Sequence, residues 1–183
     1  MTKIPIYQVD VFTNHLFSGN PAAICPLTQW LPTSIMQSIA MENNLSETAF
    51  YVPLGESYSI RWFTPTVELN LAGHPTLAAA HVLFNETRFD QVSIVFFSKD
   101  GEKLTVNKMS DRIEMDFPSY MPNKNDQGLD KVSKALGDNP CEFLSHNYGI
   151  AIFENEEKIK ILSPDYDKLV DLEYDGIVGQ HQK

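Results

Sequence analysis

Basic residues are scarce in this chain of 183 residues, in which 14 lysines and arginines stand against 24 aspartates and glutamates, for a formal net charge of −10. Binding to nucleic acid or to an anionic membrane surface needs clustered lysine and arginine. Apolar runs are also short, and none reaches the length of a transmembrane helix. We therefore predict neither nucleic-acid nor membrane partners.

Cysteine is rare as well, since only Cys25 and Cys141 occur, far apart in the sequence. The opening residues MTKIPIYQVD hold a single lysine with no apolar run behind it, so they lack the pattern of a secretory signal peptide. Distant, unclustered cysteines are typical of reduced thiols in the cytoplasm. The sequence predicts a cytoplasmic protein in which both thiols are buried and inert.

Several catalytic motifs are missing. The five histidines form neither an HExxH motif nor a cluster with cysteine, so no metal site is predicted. A GxGxxG motif and a P-loop are both absent. The sequence therefore gives no reason to predict binding of a dinucleotide or a nucleoside triphosphate. GxSxG is absent too, although residue counting leaves a Ser-His-Asp arrangement open.

What the chain has in abundance is apolar sequence, most of all in residues 68–84, ELNLAGHPTLAAAHVLF. This stretch predicts a short strand, a turn at 72–74 and a helix that begins at Pro75. The helix is apolar on nearly every side and should be buried all round. Its free N–H groups and positive dipole end could hold a ligand carboxylate. An ordinary buried helix, with Gly73 merely permitting a tight turn, is the interpretation that this stretch alone favours.

Residues 1–118 are predicted to form one domain of eight short strands and two helices. Many strands around one apolar helix indicate an α+β fold, in which a mixed, largely antiparallel sheet curls as a barrel around a central helix. The predicted strands are 4–12, 22–25, 45–52, 59–63, a short strand before the apolar helix, 92–97, 104–107 and 112–117, and the other helix is 33–42.

A polar linker is predicted at 119–127, followed at 128–183 by the opening part of a second domain. That part should contain a helix at 129–136 closed by Gly137, and a hairpin of 146–153 with 158–162. A helix after Ser163-Pro164 and a strand from 176 complete it. It looks short of apolar residues for a core of its own.

Glu47 is the sharpest catalytic candidate, because it is a lone acid in the apolar run LSETAF. Strand alternation places it on one face with Leu45, Ala49 and Tyr51. A carboxylate on a half-buried strand is costly unless it is hydrogen-bonded, and burial favours its neutral form. Such an environment suits a general acid/base. A solvent-facing Glu47 on an edge strand fits the local sequence equally well.

Three segments in this order and spacing resemble the phenazine-biosynthesis PhzF-like isomerase family, which shares the diaminopimelate-epimerase fold. They are QVDVFTNHLFSGNPAAIC, NLSETAFY and RWFTPTVELNLAGHPTLAAAHVL. The resemblance implies two similar domains, each with a mixed sheet around a central helix, and an active site between them.

The same resemblance implies roles for particular residues. Glu47 would move a proton between carbons of a small carboxylate-bearing substrate, without a cofactor. Gly73 and His74 would hold the substrate at the helix entrance, and Asn20 would line the same cleft. Related racemases of this fold use a pair of cysteines. Neither cysteine of this chain stands at a glycine-rich helix start, so a two-thiol mechanism is disfavoured.

The sequence departs from the family pattern in one respect that bears on activity. In the family the second domain supplies an acidic residue and an Asp-Pro-x-Thr-Gly-like loop, and a final strand returns to the first domain. The sequence contains neither that loop motif nor that strand. We therefore expect exposed sheet edges and a homo-oligomer. The alternative to an isomerase is a truncated, non-catalytic domain that binds a small molecule or a partner.

Overall fold

The computed structural model describes residues 3–15, 17–87, 90–117 and 119–181. The chain divides into two compact units, residues 1–117 and 118–183. The end predicted for the first domain, residue 118, lies outside the described residues. Within the described residues no helix is long and apolar enough to cross a membrane.

The first unit contains the eight strands and two helices that the sequence predicts, with ends that shift by a few residues. In chain order they are β1 Tyr7–Val11, β2 Asn20–Pro26, α1 Thr33–Asn43, β3 Glu47–Leu54, β4 Ser57–Phe63, β5 Glu68–Leu69, α2 Gly73–Glu86, β6 Ser93–Phe97, β7 Lys103–Lys108 and β8 Ile113–Asp116.

These strands form one mixed sheet in the order β1-β2-β3-β4-β6-β7-β8, with β5 paired to β4. Two pairs, β2–β3 and β4–β6, are parallel, and the other pairs are antiparallel. The sheet curls about α2, which packs against its inner face. The predicted α+β class is confirmed.

Strand alternation sorts the side chains of β3 between two clusters. Ala49 and Tyr51 belong to the large cluster around α2, which also holds Trp62 of β4. Phe50 points the other way, into a smaller cluster that packs beneath α1. Because neighbouring residues of a strand point to opposite faces, the sheet has an apolar layer on both sides here.

Helix α2 differs from its prediction in where it begins and in how completely it is buried. It begins at Gly73 rather than Pro75, and its N-cap residue Ala72 is extended (φ −144°, ψ 125°). Pro75 fits in the first turn because backbone N–H groups there have no partner within the helix. The expectation of burial on all sides is wrong, since His81 and Glu86 are exposed.

The second unit has a four-stranded sheet in the order β12-β11-β10-β9, in which β11 and β12 are parallel. Its elements are β9 Asn123–Lys124, α3 Leu129–Leu136, β10 Glu142–Ser145, β11 Gly149–Phe153, α4 Glu156–Lys160, α5 Tyr166–Val170 and β12 Ile177–His181. Two predictions for this unit are confirmed: the helix closed by Gly137, and the strand predicted from residue 176, which is β12.

Three expectations for this unit are corrected. The stretch 119–127, predicted as a linker, contains strand β9, which pairs with β10. The unit has an apolar core of its own, in which Phe143 and Phe153 are each 1% exposed. The hairpin joins β10 to β11, whereas 158–162 is not a strand.

Residues 156–160 form α4 because their charges suit a helix. The side chain of Asn155 caps the helix by accepting a 3.1 Å hydrogen bond from the backbone N–H of Lys158. Lys160 in the last turn pairs at 3.1 Å with both Glu156 and Glu157 in the first.

Candidate functional site

Glu47 opens strand β3, where it lies opposite Ala22 of the parallel strand β2. It shares a strand face with Ala49 and Tyr51, which pack around α2. Its side chain is 19% exposed. Of the two positions that the local sequence allowed for Glu47, the structure therefore shows the largely buried one and not the solvent-facing one.

His74 is the second residue of α2, and its Nε2 atom lies 3.1 Å from Oε2 of Glu47. The histidine side chain is 12% exposed. Both atoms are buried, and neither makes a hydrogen bond of good geometry with a described residue. The two groups are thus in close polar contact without an aligned hydrogen bond. The helix N-terminus at this point also favours a negatively charged group.

Gly73 precedes His74 as the first residue of α2. A Cβ atom added there would lie 3.6 Å from Cε2 of Phe117 and 3.7 Å from Cε of Met115, which are ordinary van der Waals distances. The backbone of Gly73 is not in the left-handed region. The fold itself therefore does not demand glycine at this position.

Asn20 opens strand β2, and its side chain is linked to the residue before Glu47. The hydroxyl of Ser46 lies 3.2 Å from Oδ1 of Asn20 and 3.0 Å from the carbonyl oxygen of Pro21. Gly19, with φ +79°, makes the turn into this strand, and an added Cβ would collide with the carbonyl of Val11. Of the residues predicted for the site, Glu47 and His74 are thus in direct contact, Gly73 adjoins His74, and Asn20 reaches the site through Ser46.

Sequence reasoning missed two hydrogen-bonded pairs around this site. Thr48 is fully buried and lies 3.2 Å from Nδ2 of Asn43, at the end of α1. Trp62 of β4 donates to the hydroxyl of Thr76 in α2 at 3.0 Å. The hydroxyl groups beside Glu47 were visible in the sequence. Their partners were not, because the packing of helices against the sheet brings them there.

The two cysteines differ from each other. Cys25 is buried in β2, and burial raises the pKa of its thiol to about 12, as expected for an inert group. Cys141 is exposed, so the expectation that both thiols are buried is wrong for this one. Among the described residues no group of three or more histidines, cysteines or carboxylates could hold a metal ion.

The fold and the site define a class: an α+β half-barrel curled around a central helix, with a glutamate on a strand facing a histidine in the helix's first turn. Comparison with known proteins agrees. The family model of the phenazine biosynthesis-like proteins (PhzC-PhzF) matches residues 9–183. The chain belongs to this family.

Individual relatives are close in sequence and in structure. A protein of Pseudomonas aeruginosa named as an uncharacterised isomerase is 41% identical over 177 residues, which cover 96% of this chain and 67% of the relative. The crystal structure of a PhzF-family phenazine biosynthesis protein from Enterococcus faecalis matches with a TM-score of 0.83 at 40% identity, over 96% of this chain and 67% of that one. This chain therefore spans about two thirds of the length of each.

A more distant structure shows that the fold extends beyond close relatives. A predicted epimerase from Pseudomonas aeruginosa matches with a TM-score of 0.75 at 20% identity, over 97% of this chain and 70% of that one. At this identity the similarity concerns the fold alone.

Proposed function

We propose that this chain is an isomerase that moves a proton between carbons of a small carboxylate-bearing substrate, with Glu47 as the general acid/base. The observation that carries the proposal is the 3.1 Å contact between Glu47 and His74 at the first turn of α2. Membership of the family, and the isomerase named among its relatives, support the reaction class.

The reaction needs one proton and no change of oxidation state. The carboxylate of Glu47 accepts the proton as a substrate C–H bond breaks, and the electron pair of that bond stays in the substrate. The carboxylic acid so formed returns the proton to a different carbon as the new C–H bond forms. Glu47 both removes and returns the proton, so the proposed reaction requires no cofactor.

Binding would use the start of α2. The backbone N–H groups of Gly73 and His74 belong to the first turn, where N–H groups have no partner within the helix. Such groups and the helix dipole attract a carboxylate. Because neither steric crowding nor backbone conformation demands glycine at position 73, close approach of the substrate to the backbone is the role we assign to it. Asn20 would line the same site.

The test is exchange of carbon-bound hydrogen in D₂O. The chain is incubated with a panel of small carboxylic acids that carry a C–H bond next to a carboxylate or in an allylic position, and deuterium uptake is followed by mass spectrometry. Glu47→Gln should lower uptake by about 10²–10⁴-fold. The matched control is Glu56→Gln, which changes an exposed glutamate in the turn after β3 and should exchange at the wild-type rate. Undiminished exchange in Glu47→Gln would refute the assignment.

A second candidate is a non-catalytic domain that binds a small molecule or a partner. The observation in its favour is a groove of about 950 Å³ in the first unit, bordered by β1, α2 and β8. If the wild-type chain binds carboxylic acids in calorimetry but takes up no deuterium from D₂O, this second candidate replaces the first.

Self-association is a further part of the proposal, because β1 and β8 end the sheet and each pairs on one side only among the described strands. Unpaired strand edges invite pairing with another chain. Phe12, at the end of β1, is 74% exposed, as is Tyr166 in the second unit. Light scattering should give the mass of a dimer or larger assembly. Phe12→Asn should weaken it, while Tyr166→Asn should not; a monomeric wild-type chain would count against the proposal.

A further inference from the structure

A buried pair of polar side chains ties α2 to the sheet close to the Glu47–His74 contact. The indole N–H of Trp62 donates a 3.0 Å hydrogen bond to Oγ1 of Thr76, and this oxygen lies 2.7 Å from the carbonyl oxygen of Ala72. Trp62 is 1% exposed and Thr76 is fully buried. The pair therefore lies in the core, screened from water.

The direction of both hydrogen bonds follows from the chemistry of the groups. An indole nitrogen can only donate, so Thr76 must accept from Trp62. The single hydroxyl proton of Thr76 is then free to be donated to the carbonyl of Ala72. Ala72 is the N-cap of α2, and its side chain does not cap the helix. The first turn is thus anchored to strand β4 through Trp62 and Thr76.

The same two residues connect the elements that carry the proposed catalytic groups. Trp62 lies opposite Ala49 in the β3–β4 ladder, and Ala49 follows Glu47 by two residues on the same strand face. Thr76 follows His74 by two residues in α2. A closed circuit of contacts therefore runs from Glu47 along β3, across to Trp62, through Thr76 to the first turn of α2, and back through His74.

Packing alone does not explain why both residues of this buried pair are polar. Buried hydroxyl and indole N–H groups are costly unless they are hydrogen-bonded, and an apolar pair of similar volume would fill the core equally well. A hydrogen-bonded pair differs from an apolar pair because its geometry is directional. It fixes where the first turn of α2 lies against the sheet.

We propose that Trp62 and Thr76 are positioning residues, which hold His74 at its distance from Glu47. This inference rests on the proposed function for its catalytic meaning, but the positioning itself can be measured without any substrate. The decisive variants are Thr76→Val, which keeps the shape and removes the hydroxyl, and Thr76→Ser, which keeps the hydroxyl.

The experiment uses the full chain and NMR of the His74 imidazole, together with hydrogen exchange of the Leu77 amide, which the geometry of α2 pairs with the carbonyl of Gly73. In Thr76→Val the ring signals of His74 should shift, and amide exchange at the first turn should accelerate about tenfold or more as that turn opens locally. Thr76→Ser should restore both to wild-type values. Trp62→Phe, which removes the donor together with part of the indole ring, should give a change of the same kind and is the second test if Thr76→Val does not fold.

Ile94→Val is the matched control, because it trims a buried core residue of β6. It should lower the midpoint of unfolding without moving the His74 signals. If Thr76→Val or Trp62→Phe leaves the His74 signals and the amide exchange as in the control, the positioning role is overturned. Deuterium uptake is scored separately: its absence in wild-type protein refutes the proposed function, whereas these NMR changes would still establish the positioning.

Discussion

Arg61 of β4 and Glu68 of β5 are joined by two hydrogen bonds, of 2.7 Å from Nε to Oε1 and 2.8 Å from Nη2 to Oε2. Their side chains are only 12% and 20% exposed. Such a fork-shaped pair fixes the orientation of both groups. It ties the short strand that leads into α2 to the strand that carries Trp62.

The pair makes stability depend on pH. The hydrogen bonds from Arg61 hold the pKa of the Glu68 carboxyl below its usual range. A lowered pKa in the folded state means that the stabilisation is complete above the ordinary pKa of glutamate and is lost as the pH falls through the folded-state value. Glu68→Gln should lower the free energy of unfolding at pH 7 by about 1–2 kcal/mol, and the difference from wild type should shrink below about pH 4.

Urea unfolding at a series of pH values measures this effect. Glu114→Gln is the matched control, since it disrupts an exposed ion pair with Arg112 of similar length, 2.8 Å. Exposed pairs contribute little, so this variant should resemble wild type at every pH. A constant offset of Glu68→Gln from pH 7 to pH 3 would contradict the prediction.

Tyr51 offers a stabilising substitution. Its side chain is 3% exposed, and its hydroxyl makes no hydrogen bond with a described residue. Burial raises the pKa of this phenol, and the neighbouring Tyr58 and Tyr7 add to the shift. Because a buried, unpaired hydroxyl is unfavourable, Tyr51→Phe should raise the free energy of unfolding by about 1 kcal/mol in urea titrations. A loss of stability would show that the hydroxyl has a partner.

The two thiols should react at very different rates. Cys141 is exposed, whereas Cys25 is buried and its thiol pKa is raised to about 12. A colorimetric thiol reagent at pH 8 should label one thiol of the native chain quickly and the second only after denaturant is added. Cys141→Ser should abolish the fast phase. Rapid labelling of that variant in its native state would mean that Cys25 is accessible.

Much of the first unit was predictable because its signals are local. The alternation Ala49–Phe50–Tyr51 separates the two faces of β3, and the apolar run in α2 marks the helix that the sheet surrounds. The same alternation put Glu47 on one face with Ala49 and Tyr51. Local sequence could not tell whether the Glu47 side chain on that face is buried or faces solvent, since this depends on which side of the sheet α2 packs.

One feature was missed although its signals are local: residues 158–162 contain apolar residues that suit a strand, yet the cap at Asn155 and the ion pairs of Lys160 favour α4. Other features depend on partners that are distant in the sequence. The helix start at Gly73 and the hydrogen bond from Trp62 to Thr76 follow from how α2 packs against β4. No short-range pattern encodes such a contact between elements.

The paired groups of the site and their anchors all lie between Glu47 and Thr76, in an unbroken succession of β3, β4, β5 and the first turn of α2. Nascent chains emerge from the ribosome N-terminus first. Because domains generally fold as units, this constellation can form once residues 1–117 have emerged, while the second unit is still being synthesised. The site would then take shape before the second unit folds.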